Sequence, residues 1–359
     1  MTNTDHRIPV ISNPDELNIP WRTLQTIIAG RSLIDTFELN IDNLDEADKF
    51  LSAYGLQNSK DAADILKIAI DYLDNILLAE TGIRPPGKVY DFDLPALLLE
   101  ASAGSRSTLS QWSCVILKIC HAVAHAKWGR DEDAYHAALI KLKTRLQPFI
   151  SESADGIWIG DDLCRIPVVE YRLKTAKKFY RIVTKLLLKE GNLSARINDH
   201  IGVRIVTRDI FSAILLIRFL RSRHIFMYAN VLPRESKNSL AEFRQIEALF
   251  SEFSTPIQHS LVGEDSNIDP GGNNPYSSKE FKMIKIVERI LVITNSGRNV
   301  FFPCEFQIIA RQSRESFNRR QASHKAYEKR QIKGVINRLF KGTSLIASTS
   351  SRGEVTEEP

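Results

Sequence analysis

The stretch Val300-Phe-Phe-Pro-Cys-Glu-Phe-Gln-Ile-Ile309 decides the reading of this chain. Successive side chains of an extended strand alternate faces, so Glu305 and Gln307 point one way while Phe306 and Ile308 point the other. A carboxylate on the polar face of a core strand marks a site, because burying a charge without a partner is costly. About a hundred residues earlier, Asp199-His-Ile-Gly-Val-Arg204 leads into a second strand, Val203-Arg-Ile-Val206. Two carboxylates brought together from two strands, Asp199 and Glu305, make a Mg²⁺ site of the kind used with nucleotide phosphates.

Working outward, strands are expected at about 281–293 and 299–310, followed by a basic helix over 318–340. Upstream, Ile157-Trp-Ile leads through a loop to a helix over roughly 171–190, then the strand at 203–206 and a helix around 209–223. A further strand is expected near 225–231, a polar helix around 237–253, and a long Gly-, Asn- and Pro-rich loop at 260–278. Alternating strands and helices with two adjacent late strands read as α+β around a mixed sheet flanked by helices. From Trp21 to about Phe149 the pattern is helical throughout, with apolar residues recurring every third or fourth position. Asn43 and Asn58-Ser59 are capping candidates, and Pro85-Pro86-Gly87 marks a break. The expected organisation is a polar arm over 1–18, an all-helical domain over 19–155, an α+β domain over 156–341 and a disordered tail over 342–359.

A hydrophobic fraction of 43% and a charged fraction of 25% are ordinary for a globular domain, and 359 residues suffice for two cores. No run approaches the roughly 18 apolar residues of a membrane helix, so no membrane partner is expected. The N-terminus shows no apolar leader, and Cys114, Cys120, Cys164 and Cys304 have no CxxC spacing, which fits reduced thiols in a cytoplasmic protein. Charge is segregated. Residues 1–164 carry 15 Lys/Arg against 24 Asp/Glu, whereas residues 165–223 carry 14 against 4. Such a basic block beside an acidic half implies a polyanionic partner for the second half.

On a helix over 171–190, Lys174, Lys178, Arg181 and Lys185 fall on one stripe and Phe179, Ile182, Val183, Leu186 and Leu187 on the other. Four cations without a counter-anion at helical spacing repel one another, which points to a ligand. His121 and His125 are four apart, a spacing that can hold zinc, but no Glu lies between them and small Ala122 and Ala124 point to helix packing instead. The chain has no His-Asp pair in that order, which argues against a His-Asp phosphohydrolase centre.

Arg172-Leu-Lys174, Arg181, Asp199-x-x-Gly-x-Arg204, Tyr276 after Asn274, and Glu305-Phe-Gln307-Ile together resemble the synthetase domain of RelA/SpoT-type alarmone synthetases. Ala322-Ser-His-Lys-Ala-Tyr-Glu-Lys329 resembles the segment that follows that domain. The likeness covers roughly residues 165–330 and is similar to a bacterial branch with its own helical N-terminal domain. It implies a nucleotidyltransferase-like enzyme that moves pyrophosphate from ATP to a nucleotide. By the same likeness Arg172 and Lys174 contact the ATP donor, with Arg181 near its phosphates, and Asp199 holds Mg²⁺. Tyr276 stacks on the acceptor base, Glu305 completes the metal site or takes the hydroxyl proton, and Gln307 supports a phosphate hydrogen bond.

The chain departs from the family at Lys178 (a Ser there), Pro275 (a Gly), Glu280 (a His) and Ile309 (an Arg). These changes leave the acceptor open between GDP or GTP, an ADP-type nucleotide and a tRNA 3′ end, which related toxin branches use. Two other readings remain: a catalytically silent nucleotide- or RNA-binding module, and an interaction protein whose acidic helical half covers its basic half.

Overall fold

The computed structural model describes residues 28, 39–103, 107–174, 179–188, 200–242, 246, 282–319 and 324–345. The arm at 1–18, the loop at 260–278 and the tail from 346 lie outside the described residues. The fold is α+β, and the chain divides into two compact units: residues 1–124 with 187–191 and 335–359, and residues 125–186 with 192–334. No helix among the described residues is long and apolar enough to cross a membrane.

The first unit is helical. Helices α1 (Leu44–Tyr54), α2 (Ser59–Tyr72) and α3 (Leu94–Ser102) each start at a side-chain cap. Asn43 Oδ1 accepts from the Glu46 amide, Asn58 Oδ1 from the Lys60 amide and Asp93 Oδ1 from the Ala96 amide, satisfying amides that have no intrahelical partner. Gly55 takes the left-handed conformation that closes α1, its φ of 98° being easy only without a Cβ. The Pro85-Pro86-Gly87 break opens a short 3₁₀ turn, Gly87–Asp91. Tyr72, Leu73, Leu97, Trp112, Ile116 and Ile119 are buried in its core, and Trp112 packs edge-on against Phe340 at 5.3 Å. Trp112 to Ile119 belong to α4 (Thr108–Trp128). His121, on the same helix, shares a 2.8 Å hydrogen bond between Nδ1 and the Tyr54 hydroxyl.

The second unit holds a seven-stranded mixed sheet of order β1-β2-β3-β4-β7-β6-β5. The strands are β1 (Ile150–Ser153), β2 (Gly156–Gly160), β3 (Arg165–Lys174), β4 (Ile201–Thr207), β5 (Lys237–Asn238), β6 (Ile284–Ile293) and β7 (Asn299–Ala310). Only the β4–β7 pair is parallel; every other neighbouring pair is antiparallel. On the apolar face, α5 (Glu132–Leu146) packs on β6 and β7, and α7 (Ile210–Ser222) packs on β3, β4 and β7. Val203, Ile205, Phe306 and Ile308 are buried there, each removing apolar surface worth about 1.5–3 kcal/mol from water. The opposite face of β4 and β7 is crossed by α8 (Arg311–Arg319), which turns back directly after β7.

Strand β7 spans the expected residues, and its alternation is as read: Phe306 and Ile308 lie in the core cluster, Glu305 and Gln307 on the other face. Pro303 sits inside this central strand without breaking it. β4 begins pairing only at Ile201 opposite Cys304, so beyond Pro303 the strand is paired on the β6 side alone.

Four expectations are corrected. Residues 171–174 are the end of β3, not the start of a helix, and the helix α6 (Phe179–Leu188) begins after them. The segment near 225–231 is a 3₁₀ turn at Tyr228–Asn230 with one bridge from Val231 to Glu288 rather than a strand. Lys237–Asn238 pairs with β6 instead of opening a helix. The basic helix is preceded by a separate one, so the chain after β7 runs through α8 and then α9 (His324–Leu339).

The misreading at 171–174 has a physical cause in β3. Ile166 and Val168 belong to the core cluster, and in an unbroken strand Glu170, Arg172 and Lys174 would share their face. The pairing instead runs Val168↔Thr207 and then Glu170↔Val206, so Val169 is an extra residue taken up as a bulge. Past it the phase inverts. Tyr171 and Leu173 pack against the core, and Glu170, Arg172 and Lys174 stand on the polar face.

Candidate functional site

Two rows of residues cross the polar face at the carboxyl end of β3 and the amino ends of β4 and the β4-paired part of β7. In the first, Lys174 pairs with Gly202 and Gly202 with Glu305. In the second, Arg172 pairs with Arg204, Arg204 with Gln307, and Gln307 with Lys285 on β6. Residues paired across strands share a face, so cross-strand registry alone brings these side chains together.

Gln307 is the hub. Its Oε1 accepts from Arg204 Nη2 at 2.9 Å, from Arg204 Nε at 3.1 Å and from Lys174 Nζ at 3.3 Å. Its Nε2 donates to Glu305 Oε1. Three cationic donors therefore meet on one neutral amide oxygen, an acceptor about half as strong as an anionic oxygen would be. Glu305 is buried, so its carboxylate is held in a low-dielectric setting beside this cluster. Between Lys174 and Glu305 the floor is Gly202. A Cβ added there would stand 3.7 Å from Lys174 Cβ and Cδ and 3.8 Å from the Glu305 carbonyl oxygen, so a methyl would be in ordinary contact.

The electrostatics follow from half-burial among like charges. Burial and the nearby Arg204, with smaller pushes from Lys185 and Arg172 and a pull back from Glu305, lower the Lys174 ammonium from 10.5 to about 8. Burial and then Arg314 lower Arg204 as well, with Glu170 and Glu305 opposing; starting above 12, a guanidinium still stays charged. A second group closes this end of the face. Arg314 on α8 is ion-paired through Nη2 to Glu170 Oε2 at 2.7 Å, and Arg172 Nε lies 3.7 Å from Glu170 Oε1.

Of the residues singled out in the sequence, Arg172, Lys174, Arg204, Glu305 and Gln307 are thus brought onto one face. Arg181 lies on α6 and is ion-paired to Glu328 of α9, so an anion does meet the basic stripe there. Asp199, Lys178 and Tyr276 lie outside the described residues, as do Pro275 and Glu280. Ile309 is buried on the same face as Gln307 and offers no polar atom. Glu170, Arg314 and Lys285 were missed. The alternation Glu170-x-Arg172-x-Lys174 was the available signal, hidden once that stretch was read with a helical period.

One further carboxylate is buried on the apolar face of β6. Glu288 is fully shielded from solvent; its Oε2 accepts from the Met227 amide at 2.7 Å, and its Oε1 lies 3.6 Å from Arg145 Nη1. Burial outweighs both of these and raises its pKa from 4.5 to about 7.

A Mg²⁺ ion commonly uses one or two carboxylates and completes its shell with water and phosphate oxygens. Glu305 offers one such carboxylate on the polar face, and among the described residues no group of three or more His, Cys, Asp or Glu forms a ready-made cage. Glu305 could supply one ligand to such an ion.

No protein-family model and no curated protein matches the chain. Among solved structures, small alarmone synthetase 1 from Bacillus subtilis bound to its product pppGpp is similar at 15% identity, over 59% of this chain and 91% of that one, with a TM-score of 0.32. Small alarmone synthetase 2 from Bacillus subtilis matches at 15% identity over 59% and 94%, with a TM-score of 0.31. A GTP pyrophosphokinase family protein from Streptococcus pneumoniae matches at 12% identity over 57% and 84%, with a TM-score of 0.28.

Proposed function

We propose that the chain binds a nucleotide polyphosphate across the polar end of β3, β4 and β7 and transfers pyrophosphate from ATP to a hydroxyl of a nucleotide or of a tRNA 3′ end, with Mg²⁺. The observation that carries this reading is the convergence of Lys174 and Arg204 on the single neutral oxygen of Gln307, with the Glu305 carboxylate on the other side of the same amide. A phosphate oxygen is the stronger acceptor for those donors, and Gly202 puts no side chain between Lys174 and Glu305. The sequence resemblance over 165–330 supports the same chemistry.

In this reading the acceptor oxygen bonds to the β-phosphorus of ATP, the bond from that phosphorus to the α–β bridging oxygen breaks, and AMP leaves. Glu305 takes the hydroxyl proton or, with Asp199, holds Mg²⁺, whose contribution is to neutralise phosphate charge. Lys174 and Arg204 orient the transferred group, and Gln307 aims both of them. Arg172 and Arg181 reach the donor phosphates, and Tyr276 stacks on the acceptor base.

The test is transfer of label from γ-labelled ATP to GDP, GTP, ADP or total tRNA, scanned in parallel. Transfer that disappears in Glu305→Gln and in Asp199→Asn supports the reading. Transfer that survives both removes these carboxylates from the chemistry, and ATP binding with no transfer to any acceptor favours the silent module.

A further inference from the structure

Glu170 is the only carboxylate that an ion pair joins to Arg314 and Arg172 among the described residues, and it stands one row beyond the Gln307 cluster on the same face. Its partner Arg314 comes from α8, a helix that the sequence resemblance assigns no role. The two oxygens are used unequally. Oε2 takes Arg314 Nη2 at 2.7 Å, whereas Oε1 is buried, makes no hydrogen bond and has Arg172 Nε at 3.7 Å. Arg204, in the same row as Arg172, feels the positive charge of both Arg314 and Arg172 and the negative charge of Glu170. Two guanidiniums thus lie against one carboxylate, only Arg314 at hydrogen-bonding distance, and Arg204 stands beside Arg172 in the adjoining row with its donors on Gln307. Arginine matches the geometry of a phosphate as well as that of a carboxylate, and the phosphate carries more charge.

We propose that Arg172, Arg204 and Arg314 form a second anion subsite, occupied from within by the Glu170 carboxylate until a further phosphate group of the ligand displaces it. The ligand class is a linear polyphosphate, as on a nucleoside triphosphate, long enough to reach from Lys174 and Gln307 to Arg314. This rests on the proposed function, whose first phosphate position it extends. The guanidinium over the row of Glu170, Val206 and Ile309 comes from α8. Glu170 then acts as an internal competitor. A single phosphate at the first position leaves the internal carboxylate in place, and only a chain long enough to reach Arg314 has to displace it, so Glu170 sets how tightly long anions are held.

The test is calorimetric titration of the full chain with inorganic tripolyphosphate and with orthophosphate. Glu170→Gln, which removes the competing charge but keeps the shape, is expected to tighten tripolyphosphate binding by roughly ten-fold. Arg314→Ala is expected to weaken it by a similar factor while leaving orthophosphate nearly unchanged, and Arg314→Lys to restore part of the loss. A merely structural Glu170–Arg314 pair predicts the opposite sign for Glu170→Gln, namely weaker binding with a lower melting temperature. If Lys174→Met weakens tripolyphosphate but neither Glu170→Gln nor Arg314→Ala changes it, the second subsite is overturned and the first stands. If Lys174→Met has no effect either, the proposed phosphate site fails with it.

Discussion

The Arg204 guanidinium places two donors on the same amide oxygen of Gln307, Nη2 at 2.9 Å and Nε at 3.1 Å. A guanidinium pointing two donors at a neutral oxygen is a fork held open for an anion. Gln307→Glu supplies that anion permanently. The variant gains ion pairs to Arg204 and Lys174 but loses the donor to Glu305 and sets a second carboxylate beside it, and it is expected to lose tripolyphosphate affinity by roughly ten-fold or more. Calorimetry beside a thermal melt checks this; unchanged affinity would take the Gln307 cluster out of the ligand site.

Lys174 gives the site a pH dependence of known sign. Its value of about 8 in the folded chain lies below the ordinary 10.5, so between these values the unfolded chain binds more protons and stability rises with pH. Below about 8 the ammonium is present and costs the fold up to roughly 3 kcal/mol. Anion binding runs the other way, strongest where Lys174 is charged and weakening above about pH 8. Lys174→Met should raise stability at pH 7, flatten the stability profile between pH 8 and 10.5 and weaken anion binding at pH 7. Denaturant titrations across pH would show a parallel profile if Lys174 were not the group responsible.

Glu288 makes the opposite contribution elsewhere in the same unit. Its pKa is raised above the ordinary 4.5 to about 7, so the folded chain binds more protons in that window and stability falls as pH rises through it. Glu288→Gln keeps an acceptor for the Met227 amide and is expected to stabilise the fold above pH 7 by up to roughly 3 kcal/mol, with little difference below pH 4.5. A destabilised variant at pH 8 would mean that the Arg145 pairing outweighs burial after all.

Gly202 separates folding from binding. Gly202→Ala puts a methyl at ordinary contact distance from Lys174 and the Glu305 carbonyl, and in a strand it is expected to be neutral or to stabilise by roughly 0.5–1 kcal/mol. Gly202→Val extends into the space between Lys174 and Glu305, and should abolish polyphosphate binding with little change in melting temperature. Binding that survives the valine would mean that the ligand does not sit on that floor.

Much of the sheet and part of the site are legible in the chain, and the unread part has a local reason. β7 announces itself because its period-two alternation is continuous, and that alternation alone puts Glu305 and Gln307 on one face. Arg204 follows from the short strand at 203–206. The arginine and lysine of β3 read as the start of a helix because Val169 interrupts the alternation, and a strand with a phase change has no clean period of two or of 3.6. Glu170 escapes with them, and Arg314 for a different reason: its pairing with Glu170 joins residues 144 positions apart, and it sits in no run that advertises chemistry. The caps at Asn43 and Asn58 are visible because capping is a local affair of two or three residues.

Between Val168 and Lys174, Val169 is the one residue of β3 that its neighbour β4 does not count. Loss of its codon would leave an unbroken strand with the same side chains on each side, whereas loss of a codon between Tyr171 and Lys174 would turn part of the strand inside out. Chains of this kind are therefore free to differ in length by one unit here, and a comparison that refuses a gap at this point would set charged residues against greasy ones.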